Sequence, residues 1–139
     1  MLFPESNFLE LGTLYGGSAL AYLYGRPETV VVTYDAYPNH TKFFKEMEGL
    51  DFRLGDCRTE KFDKKYDIIF MDISHNGIDE IETMKNLESQ GMIKDCMIIF
   101  DDIILNEEMK KFWESLNPAI KRDITKDGHG SGTGICIYE

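Results

Sequence analysis

No apolar run in this 139-residue sequence approaches the ~20 residues that a membrane span needs, so no membrane partner is expected. The opening Met1-Leu2-Phe3-Pro4-Glu5 lacks the basic and apolar regions of a secretory signal. Cysteine is scarce. Cys57, Cys96 and Cys136 are odd in number and show no metal-type spacing, so they read as reduced thiols of a cytoplasmic protein. Positive charge is scarce as well. Against 25 acidic side chains stand 15 basic ones, for a formal net charge of -10. Such a surface repels nucleic-acid phosphates and anionic membranes. The pairs Lys64-Lys65 and Lys121-Arg122 are too sparse to make a local basic patch, so no nucleic-acid partner is expected. What remains is an ordinary globular balance, 42% hydrophobic and 29% charged, at a length that fits a single domain over 1–139.

Apolar runs at 8–11, 29–34, 66–71 and 92–100 read as strands, with a weaker one at 52–54 and closing strands at 120–124 and 135–138. The run at 29–34 is rich in β-branched residues, which suits a buried parallel sheet. Helices are expected over 18–24 and 40–48. Ile78, Ile81, Met84 and Leu87, recurring every third residue, predict a third helix with one apolar face. Asn106 is a good N-cap for a fourth, with Glu107 and Glu108 in its first turn and a stripe of Met109, Phe112, Trp113 and Leu116. Strands alternating with helices argue for a doubly wound, mostly parallel sheet with helices on both faces. Ligands of such sheets bind beyond the carboxyl ends of the strands. Those ends carry Gly12, Asp35, Asp72 and the pair Asp101-Asp102.

The loop Glu10-Leu11-Gly12-Thr13-Leu14-Tyr15-Gly16-Gly17-Ser18 joins the first strand to the first helix. Its glycines permit positive φ and close approach of backbone to a ligand. It is not a P-loop, because Gly17 is followed by Ser18 and Ala19 rather than by a lysine. Leu14 stands where the dinucleotide fingerprint needs its second glycine, which argues against a nicotinamide-dependent oxidoreductase. A plain tight turn is the competing reading of the loop. Asp35 favours a ligand: it follows the second strand, where an acid hydrogen-bonds ribose hydroxyls in nucleotide-binding α/β folds.

In this order and spacing the motifs resemble class I S-adenosylmethionine-dependent methyltransferases, nearest to the catechol-type and sugar O-methyltransferases. The matching segments are the Glu10–Ser18 loop, Asp35, Gly55-Asp56-Cys57, Tyr66-Asp67-Ile68-Ile69-Phe70-Met71-Asp72, Met97-Ile98-Ile99-Phe100-Asp101-Asp102 and Gly132-Thr133-Gly134. The resemblance implies a Rossmann-like sheet of seven strands with one antiparallel strand near the C-terminus. It implies S-adenosylmethionine as cofactor, with Glu10, Gly12, Gly16 and Ser18 about the methionine end, Asp35 on the ribose, Asp56 and Cys57 against the adenine, and Asp72 beside them. Members of the family usually carry additional helices before the first strand that cover the acceptor. Here the first strand begins at Phe8, so an open acceptor site, or one completed in a homodimer, is expected.

Neighbouring strands lie ~4.8 Å apart, so Asp72, Asp101 and Asp102 are expected to converge. Close carboxylates repel. Either some are protonated or a cation sits among them, and an all-oxygen site suits Mg²⁺ or another divalent ion. The competing reading is that these acids only end strands and bond local amides. His75, in Asp72-Ile73-Ser74-His75-Asn76-Gly77, stands where the resembled enzymes place a general base. It reads equally as a surface residue of an Asn-Gly turn. His40 reads as a helix-start residue, and His129, in Gly128-His129-Gly130-Ser131, as a residue that could border the acceptor. The expected activity is methyl transfer to a hydroxyl, with a sugar or other polyol first and a catechol-like phenol second. Asp72 and His75 would be catalytic, and Asp72, Asp101 and Asp102 would be metal ligands. The alternative is a catalytically idle cofactor-binding module or one part of a larger assembly.

Overall fold

A computed structural model describes residues 6–38 and 46–139. The helix expected over 40–48 begins outside the described residues, as does His40; residues 46–49 form a turn. The first strand, β1 (Phe8–Leu11), leads into α1 (Gly17–Gly25), β2 (Val31–Asp35) and β3 (Leu50–Leu54). After β4 (Ile68–Met71) come α2 (Ile78–Ser89), β5 (Cys96–Asp101), α3 (Glu107–Ser115), β6 (Ile120–Asp123) and β7 (Thr133–Tyr138). One seven-stranded sheet forms in the order β3-β2-β1-β4-β5-β7-β6. Every pairing is parallel except those of β7, which runs antiparallel to both β5 and β6.

All four residues of β1 are buried, as a central parallel strand covered on both faces requires. Alternate residues face opposite layers. Phe8 packs with Ala19, Tyr22 and Leu23 of α1 on one face. Leu9 and Leu11 pack on the other face, in the core that takes Met84 and Leu87 of α2 and Met109 and Phe112 of α3. Asn106 caps α3 as expected, its Oδ1 accepting from the Met109 amide at 2.8 Å. The far end of α3 is closed by Lys121, whose Nζ donates to the Leu116 carbonyl at 3.0 Å and lies over the Trp113 ring.

The expected apolar face of α2 needs correction. The buried residues are Glu80, Thr83, Met84 and Leu87, whereas Ile78 is 64% exposed and Ile81 38%. A strict spacing of three falls behind the 3.6-residue turn. Over nine residues at ~100° each, Ile78 ends up about 180° from Leu87. The run expected at 92–100 also starts late, at Cys96, because Gly91 and Asp95 take positive φ and hold 90–95 in a turn. Among the described residues no helix is long and apolar enough to cross a membrane.

From β1 the chain winds outward to β2 and β3, then returns to the other side of β1 for β4 and β5. The order therefore reverses between β1 and β4. Such a reversal opens a crevice at the carboxyl ends of the two strands, where loops depart in opposite directions.

Candidate functional site

Two glycines shape the crevice. Gly12, at φ 97°, donates its amide to the Tyr34 carbonyl at 2.9 Å, and the Asp72 amide donates to Leu11 at 2.9 Å. A Cβ on Gly12 would lie 1.7 Å from the Asp72 carbonyl oxygen, so no side chain fits between β1 and β4. Gly16, at φ 71°, caps α1. Between them Leu14 is also held at positive φ, and its amide donates to Asp35 Oδ2 at 2.9 Å. The other oxygen of Asp35 accepts from the Tyr37 amide at 2.9 Å. Asp35 thus ties the glycine loop to the end of β2.

A cavity of about 340 Å³ lies over these strand ends, and its lining includes Gly12, Asp35, Asp56, Cys57, Asp72 and His75. Those six sequence-identified residues are brought together. Glu10, Gly16 and Ser18 do not line it. Glu10 lies beneath the loop, 1% exposed, with Oε2 accepting from Thr33 Oγ1 at 2.5 Å; Thr33 in turn contacts Thr13 Oγ1 at 2.6 Å. Burial pushes the Glu10 carboxyl up to about 7; bonds from Thr33, the Ala19 amide and Ser18 oppose the rise, and the charge of Asp72 adds to it. This buried polar spine under the loop was not anticipated, although a threonine after two valines in the buried β2 is a signal for it. At the β3 end, Asp56 is gripped by Arg58, through Nε at 2.9 Å and Nη2 at 2.7 Å, and Arg58 reaches on to Asp79 of α2 at 2.9 Å. Cys57 Sγ meets Thr83 Oγ1 at 3.3 Å, and burial raises its thiol pKa.

The three carboxylates sort into two groups, each centred on a histidine. His75 Nε2 lies 2.6 Å from Asp72 Oδ1 and 3.2 Å from Asp102 Oδ2. His129, on the β6–β7 loop, bonds Asp101 through Nε2, and its Nδ1 lies 2.7 Å from Ser131 Oγ and 3.9 Å from Asp102 Oδ1. Asp72 and Asp101 fall in different groups, and Asp102 belongs to both. The hydrogen bond to Asp72 raises the pKa of His75, and that to Asp101 raises the pKa of His129; burial opposes both shifts. Each carboxylate pairing thus favours the protonated form of its imidazole. The donor set is mixed nitrogen and oxygen rather than oxygen alone. That suits Mn²⁺, Fe²⁺, Co²⁺ or Zn²⁺ better than Mg²⁺.

His75 is held firmly, at φ 56°. Its amide donates to Glu80 Oε1 at 2.7 Å, and its carbonyl accepts from Asn106 Nδ2 at 2.8 Å. The Asn-Gly turn is present too: Asn76 Oδ1 accepts from the Ile78 and Asp79 amides at 2.9 Å each and starts α2. The turn and the site are thus one structure, which aims His75 at the strand ends. The sequence named His129 only as a residue bordering the acceptor; its pairing with Asp101, its neighbour Ser131, and Glu80 beside His75 are the parts of the site that it left unassigned.

Known structures share this fold. An S-adenosylhomocysteine-bound methyltransferase of Podospora anserina superposes with a TM-score of 0.74 at 18% identity, over 96% of this chain and 72% of its own. A Staphylococcus aureus protein provisionally named a caffeoyl-CoA O-methyltransferase gives 0.72 at 16% identity, over 96% and 76%. Coclaurine N-methyltransferase, bound to N-methylheliamine and S-adenosylhomocysteine, gives 0.57 at 17% identity, over 68% and 30%. At such identities the likeness is one of fold. No family model matches the sequence, and no curated protein sequence matches it.

Proposed function

We propose that the protein is an S-adenosylmethionine-dependent methyltransferase acting on a hydroxyl acceptor. One observation carries the reading: a single cavity runs from Asp35 past Gly12 to Asp72 and His75. It joins an acid suited to a ribose, a side-chain-free passage beside the backbone, and a histidine suited to accept a proton. The shared fold of methyltransferases solved with S-adenosylhomocysteine supports it.

In this reading the free lone pairs of Asp35 accept from the ribose hydroxyls, and Asp56 and Cys57 flank the adenine. The sulfonium lies beside Gly12 and Asp72. The acceptor oxygen attacks the methyl carbon in line, the O–C bond forms as the S–C bond breaks, and the hydroxyl proton passes to neutral His75. Asp72 and Asp102 stabilise the resulting imidazolium. The products are a methyl ether and S-adenosylhomocysteine. The protein's main contribution is to hold donor and acceptor in line. The carboxylates Asp72, Asp101 and Asp102 are suited to hold a divalent cation, which when bound would acidify the acceptor hydroxyl. A sugar or polyol is the first-choice acceptor and a catechol-like phenol the second.

Calorimetry with S-adenosylhomocysteine tests the reading. A charge-assisted hydrogen bond contributes about 1.5–3 kcal/mol, so Asp35→Ala should bind at least ~10-fold more weakly. Binding of NAD in place of S-adenosylhomocysteine, or unchanged affinity in the variant, would overturn it.

A further inference from the structure

The crevice has a second hollow beside it, and the two share a wall. Asp72, Gly12, Asp35 and Asp56 stand at the carboxyl ends of β4, β1, β2 and β3, which lie side by side in that order. At the Asp56 end lies a surface cleft of about 490 Å³, whose lining includes Asp56, Arg58, Glu82 and Lys85. Asp56 and Arg58 also line the crevice cavity, whereas Glu82 and Lys85 do not. Asp56 is short and belongs to the strand end. The long side chain of Arg58 is what separates the two hollows.

The guanidinium is pinned from both sides. Toward β3, its Nε lies 2.9 and 3.1 Å from the two oxygens of Asp56, and Nη2 donates to Asp56 Oδ2 at 2.7 Å. Toward α2, Nη1 donates to Asp79 Oδ1 at 2.9 Å and lies 3.8 Å from Glu82 Oε2. Asp79 lines the cavity and Glu82 the cleft, so the guanidinium stands on the boundary between them. A lone exposed ion pair holds a side chain loosely. A forked guanidinium whose three nitrogens all meet carboxylates, drawn from two elements, is held in one place.

We propose that Arg58 is a specificity-determining residue that closes the adenine end of the cavity. The inference rests on the S-adenosylmethionine reading. There the ribose, on Asp35, joins the base through N9, so the opposite edge of the ring, with the 6-amino group, leads toward Asp56 and Arg58. A free amino group fits against this wall. A bulky substituent on the same nitrogen meets a guanidinium that cannot swing aside without breaking its bonds to Asp56 and Asp79. Such a fixed obstacle discriminates by excluding the wrong ligand rather than by gripping the right one. Removing the side chain would join cavity and cleft and make room for the substituent.

The test is calorimetry with two probes, S-adenosylhomocysteine and its N6-benzyl derivative. Wild type should bind the derivative at least ~10-fold more weakly than the parent. In Arg58→Ala the derivative should gain at least ~10-fold, while the parent, still held at Asp35 and Gly12, changes by less than ~3-fold. Lys85→Ala, at the cleft but outside the wall, should keep the wild-type preference. Circular dichroism confirms that each variant is folded. Arg58→Gln, which loses the fork but keeps a polar side chain, should show the same gain to a smaller degree and serves if the alanine variant is unfolded. Equal affinity of wild type for both probes, continued rejection of the derivative by the folded Arg58 variants, or loss of the preference in Lys85→Ala would overturn the proposal. If wild type binds neither probe, the S-adenosylmethionine reading falls and this inference with it. If wild type binds the parent and the Arg58 variants leave the preference unmoved, the reading stands and Arg58 has no such role.

Discussion

Glu10 is a carboxylic acid placed where a charge is hard to keep, beneath the glycine loop and beside Asp72. Its folded pKa of about 7 lies above the ordinary 4.5. The folded state therefore binds the proton more tightly, and its contribution to stability is full below about pH 4.5 and lost as pH rises through about 7. The difference corresponds to on the order of 3 kcal/mol. Glu10→Gln should remove this slope. In urea denaturation at pH 5 and pH 8, wild type should lose markedly more stability on alkalinisation than the variant, and equal losses would show that the carboxyl does not titrate this way. The family resemblance alone put Glu10 at the methionine end of the cofactor. Nothing in its immediate sequence says that β1 buries it under α1, because that depends on where Thr33 and Ser18 arrive from other elements. Asp56 and the base role of His75 rested on the resemblance, whereas Asp35 and Asp72 were legible for the opposite reason. Residues at the ends of parallel strands share one edge whatever the details of packing.

The elements were legible where one pattern dominated. A β-branched run made β2 evident, and the Asn106 cap fixed the start of α3. The pattern failed on α2, where hydrophobic residues every three positions spiral round the helix instead of lining it. Energetics should follow the observed face. Leu87 is fully buried, so Leu87→Ala should cost about 2–5 kcal/mol. Ile78→Ala, at a position 64% exposed, should change stability by less than about 0.5 kcal/mol. Denaturant midpoints of the two variants measure this. Similar losses for both would mean that the helix is rotated from the orientation described. The β6–β7 loop carried no period at all. Its glycines hid the pairing of His129 with Asp101, which no local pattern encodes.

At the scale of the whole molecule, the seven-stranded order with its single antiparallel strand followed from family resemblance rather than from residue patterns. The insertion of β7 between β5 and β6 is a long-range pairing, and single-sequence reasoning has little hold on it. That insertion also sets an order of events. Among the described elements β6 pairs with β7 alone, so β6 cannot enter the sheet before β7 has docked on β5. Any opening that frees β7 must free β6 with it, while β6 can open by itself. Native-state hydrogen exchange should therefore give β6 amides opening free energies no higher than those of β7, and greater protection in β6 would contradict this hierarchy. The same order governs folding. His129 rides on the connection between these two strands, so it meets Asp101 only after the final pairings close. The half of the site that contains His129 is thus assembled last and lost first, and mild destabilisation of β6 and β7 would silence that half while the Asp35–Gly12 crevice stayed intact.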